Sequence, residues 1–160
     1  MPAKPARLST IEQSRIIPAD PIEVYWALTD PLLHAAFTGS AATGRAVPGR
    51  RFTAWDGYIS GRTIRVVAGK RIVQEWRTTD WPKGAPPSLL EWRFAAHPRG
   101  ARVTLRQTRL PAGQAASYRS GWITYYWNPL RKFFDRLTRA ARAKAKAAPR
   151  WRARPLPSRA

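Results

Sequence analysis

The fold is decided by residues 118–137, which read YRSGWITYYWNPLRKFFDRL. Apolar and aromatic side chains recur there at spacings of three and four residues, the period of an α-helix with one apolar face. Pro129 interrupts the hydrogen-bond ladder, so we expect a kink near Tyr125 or Tyr126, or a helix that ends and restarts. Such an aromatic stripe has to be covered by another layer of the molecule. Its members are Tyr118, Trp122, Tyr125, Tyr126, Leu130, Phe133 and Leu137.

Short strands precede this helix and can supply the covering layer. They are separated by turn residues such as Gly57, Gly69 and Gly100. In two of the strands apolar and charged residues alternate, which predicts a sheet with one apolar and one charged face. Consecutive antiparallel pairing is the simplest connection between strands so close in sequence. The predicted strands are 8–17, 51–55, 58–67, 71–79, 89–96 and 101–110.

The segment between the first and second strands contains two helix starts. Asp20-Pro21-Ile22-Glu23 combines an N-cap acid, a proline at the first helical position and a glutamate at the third. Asp30-Pro31 repeats the N-cap acid and the proline, and Gly39 is expected to end the second helix. Short helices are therefore predicted over 21–28 and 31–37. The whole pattern predicts an α+β domain, in which a curved antiparallel sheet wraps around one long C-terminal helix and two short helices follow the first strand.

The composition excludes several classes of protein. A chain of 160 residues suffices for one domain, and 44% hydrophobic residues with eight Trp should fold despite a net charge of +20. The absence of Cys excludes disulfides, thiolate zinc sites and thiol nucleophiles, and two His, at positions 34 and 97, are too few and too far apart for a sequence-local histidine metal cluster. We expect neither a metal nor a cofactor. No run of the sequence is typical of a signal peptide or a membrane span, so a cytoplasmic location is expected.

Residues 131–160 carry half of the net charge. We expect an N-terminal extension over 1–7, a folded domain over 8–137, and a basic, largely disordered tail over 138–160 that can begin as helix. Its interspersed cations and Trp151 suit the backbone of a nucleic acid or an anionic membrane surface. The alternative is a solvated tail in a chain whose composition is biased toward Arg and Pro. The candidate polyanion-binding residues are Arg142, Lys144, Lys146, Arg150 and Arg152.

Two amides share the apolar face of the predicted sheet with core residues, Gln74 beside Trp76 and Gln107 beside Leu105. An amide that faces a cavity can orient a ligand by one or two hydrogen bonds. The alternative is that a backbone group or a buried water pairs it. The neighbouring aromatic side chains either wall a ligand cavity or fill the core. The candidate cavity residues are Gln74, Trp76, Trp92, Phe94, Leu105, Gln107, Trp122 and Tyr126.

No local motif for catalysis is evident, and we expect no catalytic residue. His34 could act as a proton donor in the interior, but a lone histidine without an evident partner is usually structural. Ser60 lies in Gly57-Tyr58-Ile59-Ser60-Gly61, which lacks the strand-to-helix context of a hydrolase nucleophile. Nothing like a phosphate-binding glycine loop occurs.

Six runs of the sequence carry a resemblance to a known family. They are PIEVY at 21–25, AFT at 36–38, DGYISG at 56–61, KRIVQEWR at 70–77, WPKG at 81–84 and GWITYY at 121–126. In this order they resemble the C-terminal domain of the activator of the 90-kDa heat-shock chaperone's ATPase, from residue 11 to residue 134. The resemblance implies the helix-grip fold of the START-like (SRPBCC) superfamily, in which the strands and the long helix enclose a cavity.

The resemblance implies a binding protein rather than one activity, since relatives use this cavity for lipids, polyketides, hormones or protein partners. We therefore expect non-catalytic binding of an apolar small molecule in the cavity or of a protein on the surface. The alternatives are an enzyme of the cyclase or dehydratase type, a chaperone accessory factor, and a tail-mediated nucleic-acid binder. The candidate partners are an apolar small molecule, the heat-shock chaperone, and a nucleic acid or an anionic membrane surface.

Overall fold

The computed structural model describes residues 8–147, in which one antiparallel sheet of six strands packs its apolar face against helices. The strand order is β1-β6-β5-β4-β3-β2, so β1 and β2 form the two edges. The strands are β1 (Ser9–Ile17), β2 (Arg51–Ala54), β3 (Ile59–Val67), β4 (Arg71–Thr78), β5 (Ser88–His97) and β6 (Gly100–Leu110). The helices are α1 (Pro21–Thr29), α2 (Pro31–Thr38), α3 (Ala115–Trp122) and α4 (Asn128–Ala147), with a π-helical segment over Ile123–Trp127. This is the predicted helix-grip architecture.

Capping residues fix α1 and α2 where the sequence predicts them. The Glu23 carboxylate accepts a hydrogen bond from the Asp20 backbone N–H at 2.9 Å. The Asp30 carboxylate accepts from the N–H groups of Leu32 and Leu33 at 2.8 and 3.3 Å. Gly39, with a φ of 77°, ends α2 in the left-handed conformation that glycine adopts without strain. Both helices extend the predicted ranges by one residue.

The sheet has the predicted apolar and charged faces. Trp76 on β4 and Trp92 on β5 are buried on the inner face. On the outer face the Glu91 carboxylate accepts hydrogen bonds from the guanidinium groups of Arg71 and Arg93. The inner face is covered by the helical stretch after β6, which explains why the chain can bury so many aromatic rings.

The long helical stretch is distorted at the position that Pro129 predicts. The proline has no N–H, and its ring would collide with the carbonyl of Tyr125 in a regular α-helix. The chain responds with a π-helical turn over Ile123–Trp127. The wider turn changes which residues face the sheet. Trp127 and Phe134 are buried, although they lie outside the predicted stripe, whereas Tyr125 and Leu137 within it are half-exposed.

Helix α4 continues ten residues past the predicted domain boundary at Leu137, to Ala147. Its side chains from Arg139 to Ala147 are exposed. The predicted extension over 1–7 and the part of the tail that holds Arg150 and Arg152 lie outside the described residues. Within 8–147, no helix is long and apolar enough to cross a membrane.

Candidate ligand-binding groove

A small cavity lies between the sheet and the helices. It holds about 40 Å³, which is room for about three water molecules. Its walls include His34 on α2, Gln74 on β4 and Trp92 on β5. Sites for drug-sized molecules are typically about 300–1,000 Å³. The interior is therefore filled by its own side chains and has no space for such a ligand.

A larger groove opens beside this cavity. It holds about 540 Å³ and lies between the β2–β3 turn, the residues that follow β4, and the helical stretch from α3 to the π-turn. Trp76, Trp122 and Tyr126 line both spaces, so their rings form the wall between cavity and groove. The groove residues are Trp55, Tyr58, Ile59, Trp76, Asp80, Gln114, Ser117, Tyr118, Gly121, Trp122, Tyr125 and Tyr126.

The predicted cavity residues are only partly brought together. Phe94 packs instead edge-on against Tyr25, with the ring centroids 5.8 Å apart, and Leu105 is fully buried. Gln107 does not line the cavity either, and its amide is hydrogen-bonded to other side chains. The predicted residues that do line the cavity are Gln74, Trp76, Trp92, Trp122 and Tyr126.

Both amides have side-chain partners. The Gln107 carbonyl accepts from Trp122 Nε1 at 2.9 Å, and its Nε2 donates to Ser88 Oγ at 2.9 Å. Ser88 Oγ donates in turn to the Trp76 carbonyl at 2.7 Å. Gln74 Nε2 donates to Thr63 Oγ1 at 3.1 Å. Gln107 thus ties α3 to the sheet and is not free to hold a ligand, whereas Gln74 still faces the cavity.

His34 and Tyr126 form a buried polar pair at the cavity. His34 Nε2 lies 3.2 Å from the Tyr126 hydroxyl, and His34 Nδ1 has no partner within residues 8–147. Burial lowers the pKa of His34 to about 4 and raises the pKa of Tyr126. Both groups are therefore neutral near pH 7. Because general acid–base catalysis works best with a pKa near the working pH, this pair suits hydrogen bonding better than proton transfer.

The β2–β3 turn places Trp55 at the groove in an unusual backbone conformation. Trp55 and Asp56 have φ values of 53° and 56°, a region that non-glycine residues rarely adopt. The turn is held because the Asp56 carboxylate accepts from the Ala41 N–H at 2.9 Å and the Asp56 N–H donates to the Ala41 carbonyl at 3.0 Å. The Trp55 ring then packs edge-on against Tyr125, with the centroids 5.3 Å apart. The Asp56-Gly57 pair predicts a turn, but it does not predict the direction of the Trp55 ring.

Hydrogen bonds fix the opposite wall of the groove. Trp81 Nε1 donates to the Tyr118 hydroxyl at 2.6 Å, which ties α3 to the loop after β4. The Tyr58 hydroxyl donates to the Asp80 carboxylate at 2.5 Å. Burial, together with this bond to the carboxylate, raises the pKa of Tyr58 to about 12, so the phenol remains a donor at neutral pH.

Gln114, a groove residue, carries a polar atom, Oε1, that is shielded from solvent and has no partner in the described part of the chain. Nε1 of Trp55 is also shielded, but it lies toward the Tyr126 hydroxyl. Shielded polar atoms are nearly always paired with protein or with ordered water. A ligand or an ordered water that reached Gln114 Oε1 would remove the cost of leaving it unpaired.

The fold and the groove define the class of the protein: it is a START-like helix-grip domain with a largely filled core and an aromatic groove beside the long helix. The family model described as "Activator of Hsp90 ATPase homolog 1-like protein" matches residues 18–135. The chain belongs to this family, as its sequence motifs predict.

Known relatives agree with this assignment. The human activator of 90 kDa heat shock protein ATPase homolog 1 is 31% identical over 114 residues, which are 71% of this chain and 33% of that protein. A solved HSP90 activator from Plasmodium falciparum has a TM-score of 0.72 at 20% identity, and the match covers 78% of this chain and 94% of the other. CalU16 from Micromonospora echinospora has a TM-score of 0.64 at 24% identity, covering 92% and 88%. These structural likenesses establish the fold. The chain spans about a third of the length of the curated relatives that it matches.

Proposed function

We propose that this domain binds an apolar small molecule without chemical change, and that the ligand lies in the aromatic groove rather than in the small cavity. The observation that carries the proposal is the difference in volume: the groove holds about 540 Å³ and the cavity about 40 Å³. The groove has the volume of a small-molecule site, and aromatic rings dominate its walls. Such rings supply large apolar contact areas with few rotatable bonds.

Binding is favoured over the cyclase or dehydratase alternative by the chemistry of the buried pair. With the pKa of His34 near 4 and the pKa of Tyr126 raised, neither group exchanges a proton readily at neutral pH. The pair also lies behind the aromatic wall, since His34 lines the cavity and not the groove.

Gly121 provides a direct test of the groove. A Cβ added there would have only the Tyr125 Cδ2 atom nearby, at 4.0 Å, which is an ordinary van der Waals contact, so the first atom of a larger side chain fits without strain. Gly121→Leu is expected to fill the groove and to weaken binding of the neutral fluorescent probe N-phenyl-1-naphthylamine at least about tenfold, the effect of losing roughly 1.4 kcal/mol of binding free energy. The helix should tolerate the change, because Leu favours helices over Gly. Fluorescence titration measures the affinity.

Ser120→Leu is the matched control, since Ser120 is exposed on the same helix and lies outside the groove. It should leave the probe affinity within about twofold of wild type, as a surface change away from the site usually does. Equal affinity in wild type and Gly121→Leu would contradict the placement of the ligand.

A second candidate function is association with the 90-kDa heat-shock chaperone in the cytoplasm. It is supported by family membership and by relatives that are named activators of that chaperone's ATPase. This chain matches only about a third of those relatives, so their activity does not transfer as a whole. Saturable co-sedimentation with the chaperone supports this function, and a lack of co-sedimentation at micromolar concentrations speaks against it.

The exposed part of α4 favours a further role for the tail, the binding of a polyanion. Arg142, Lys144 and Lys146 project from a helix that makes no buried contact beyond Thr138 among the described residues. Replacing all three with Gln is expected to reduce retention on duplex DNA at about 50 mM salt and to flatten the log–log salt dependence by about 2.7, since each phosphate contact contributes about 0.9. Retention is measured by salt elution from DNA-cellulose.

A matched control removes the same charge from the outer face of the sheet. Arg65, Arg102 and Arg106 are exposed there, and their replacement by Gln should leave most of the DNA retention intact. Equal losses of DNA retention in the two triple variants would assign the binding to the overall charge of the protein rather than to the exposed part of α4.

A further inference from the structure

The groove differs in charge from the rest of the molecule. The whole chain has 29 Lys and Arg against 9 Asp and Glu. None of the residues that line the groove is Lys or Arg, and one of them, Asp80, is acidic. A surface this basic usually attracts anions, so a groove whose single charged lining group is a carboxylate differs in charge from its surroundings.

Asp80 is held at the groove and is available to a ligand. Its side chain is exposed, and the Tyr58 hydroxyl donates to Oδ2 at 2.5 Å. The ion pairs found in residues 8–147 do not include Asp80, although Arg45, Arg62, Arg71 and Arg93 all pair with other acids. The carboxylate therefore keeps a second oxygen for a cationic partner.

Aromatic rings line the same groove as this carboxylate. Trp55, Tyr58, Tyr118 and Tyr125 line the groove alone, and Trp76 and Trp122 belong to the wall that it shares with the cavity. The face of an aromatic ring carries partial negative charge and attracts cations, Trp most strongly. Such rings together with a carboxylate form the usual recognition site for ammonium groups. A neutral apolar ligand would gain nothing from the Asp80 charge.

We propose that the groove binds an organic cation with an apolar body, whose ammonium or amidinium group lies beside Asp80 while the body packs on the aromatic rings. This inference rests on the proposed function, because it names the chemical class of the groove's ligand. It commits to a small molecule, since the groove has the volume of one drug-sized ligand.

The test compares two probes that differ only in charge. They are trimethyl(2-naphthylmethyl)ammonium and its carbon isostere 2-neopentylnaphthalene, titrated by tryptophan fluorescence against the full chain. We expect the cation to bind about 5–10-fold more tightly than the isostere, the usual scale of a cation–π contact plus an exposed ion pair. Asp80→Asn should reduce this preference to about two- to threefold, because the cation–π part remains, and it should leave the isostere's affinity within about twofold.

Two further variants separate charge recognition from packing. Tyr125→Leu keeps apolar surface but removes a ring face at the exposed rim, so it should weaken the cation more than the isostere. Asp135→Asn is the matched charge control, because Asp135 is exposed on α4 and lies outside the groove. It should not change the preference.

The outcomes distinguish the inference from the proposed function. If the isostere binds the groove and the cation binds no better, or if Asp80→Asn and Asp135→Asn behave alike, the cation proposal is wrong while the groove still binds apolar molecules. If neither probe binds and Gly121→Leu changes nothing, both proposals fail. Sedimentation velocity run in parallel would reveal a dimer that the cation dissociates, which would assign the groove to a second copy of the chain and overturn the proposal.

Discussion

Replacing Trp122 with alanine is expected to lower the free energy of unfolding by about 3–5 kcal/mol, the typical cost of truncating a buried Trp. Its side chain is 3% exposed, and its ring packs against Trp76, Trp92 and Tyr126 with centroids 5.4, 5.6 and 4.7 Å away. The substitution would also leave the Gln107 carbonyl without its donor in a fully buried place. The unpaired buried carbonyl adds to the cost of the void that the missing Trp side chain leaves. We therefore expect a loss in the upper half of the range.

Equilibrium unfolding in urea measures this loss, and two variants separate its parts. Trp122→Phe retains an aromatic ring but removes the indole N–H, so it should cost about 1–3 kcal/mol, mainly for the unpaired Gln107 carbonyl. Trp26→Ala is the matched control, because Trp26 is 56% exposed on α1, and it should cost less than about 1 kcal/mol. A Trp122→Ala protein with the urea midpoint of wild type would show that the helix does not pack on the sheet as described.

The order of helices and strands could be predicted because local signals mark almost every boundary. Asp20 and Asp30 mark the starts of α1 and α2 by capping, and alternation along β4 and β5 identifies the two faces of the sheet. The burial of the long helix was predicted less well. Pro129 predicts a distortion, but only the structure shows a π-turn, which moves Trp127 and Phe134 into the core.

The location of the candidate site could not be predicted, because it depends on how tightly the side chains pack. Alternation correctly predicts that Gln107 faces inward, but not that Trp122 and Ser88 hydrogen-bond its amide within the core. The groove depends on the left-handed backbone at Trp55, which turns its ring toward Tyr125. The neighbouring Asp56-Gly57 pair favours a turn, but a bulky residue such as Trp usually avoids the left-handed region, so this conformation at Trp55 could not be predicted.

Acidification is expected to destabilise the protein through His34. Burial lowers the pKa of His34 to about 4 in the folded state, against about 6.5 in an unfolded chain. The pKa of His34 is therefore lower in the folded state, and the contribution of the neutral imidazole to the free energy of unfolding is fully present above pH 6.5. It is lost as the pH falls toward 4, because the unfolded chain takes up a proton that the folded chain does not. At about 1.4 kcal/mol per pKa unit, the loss amounts to about 3 kcal/mol.

The surroundings of His34 offer little to stabilise an imidazolium. Nε2 faces the Tyr126 hydroxyl, a neutral group whose pKa is raised by burial, and the rings of Phe37 and Tyr126 cover the imidazole. The nearest acid along the chain that also lines the cavity is Asp30, and its carboxylate is engaged by the Leu32 and Leu33 N–H groups and by Arg45. A proton on His34 would thus be buried without a free counter-charge, which is the physical reason for the low pKa.

Urea unfolding of wild type and His34→Gln at pH 7.5 and pH 4 tests this expectation. Gln can accept the Tyr126 hydrogen bond but does not titrate, so the variant should lose about 3 kcal/mol less stability than wild type between the two pH values. Comparing the pH-dependent losses cancels the packing cost of the substitution and the titration of the carboxylates common to both proteins. His97→Gln, which changes the only other histidine, should retain the loss that His34 causes. Identical losses in wild type and His34→Gln would mean that folding does not shift the pKa of His34, so that the folded protein carries an imidazolium at pH 4. The cavity would then have to supply that imidazolium with a partner such as an ordered water chain.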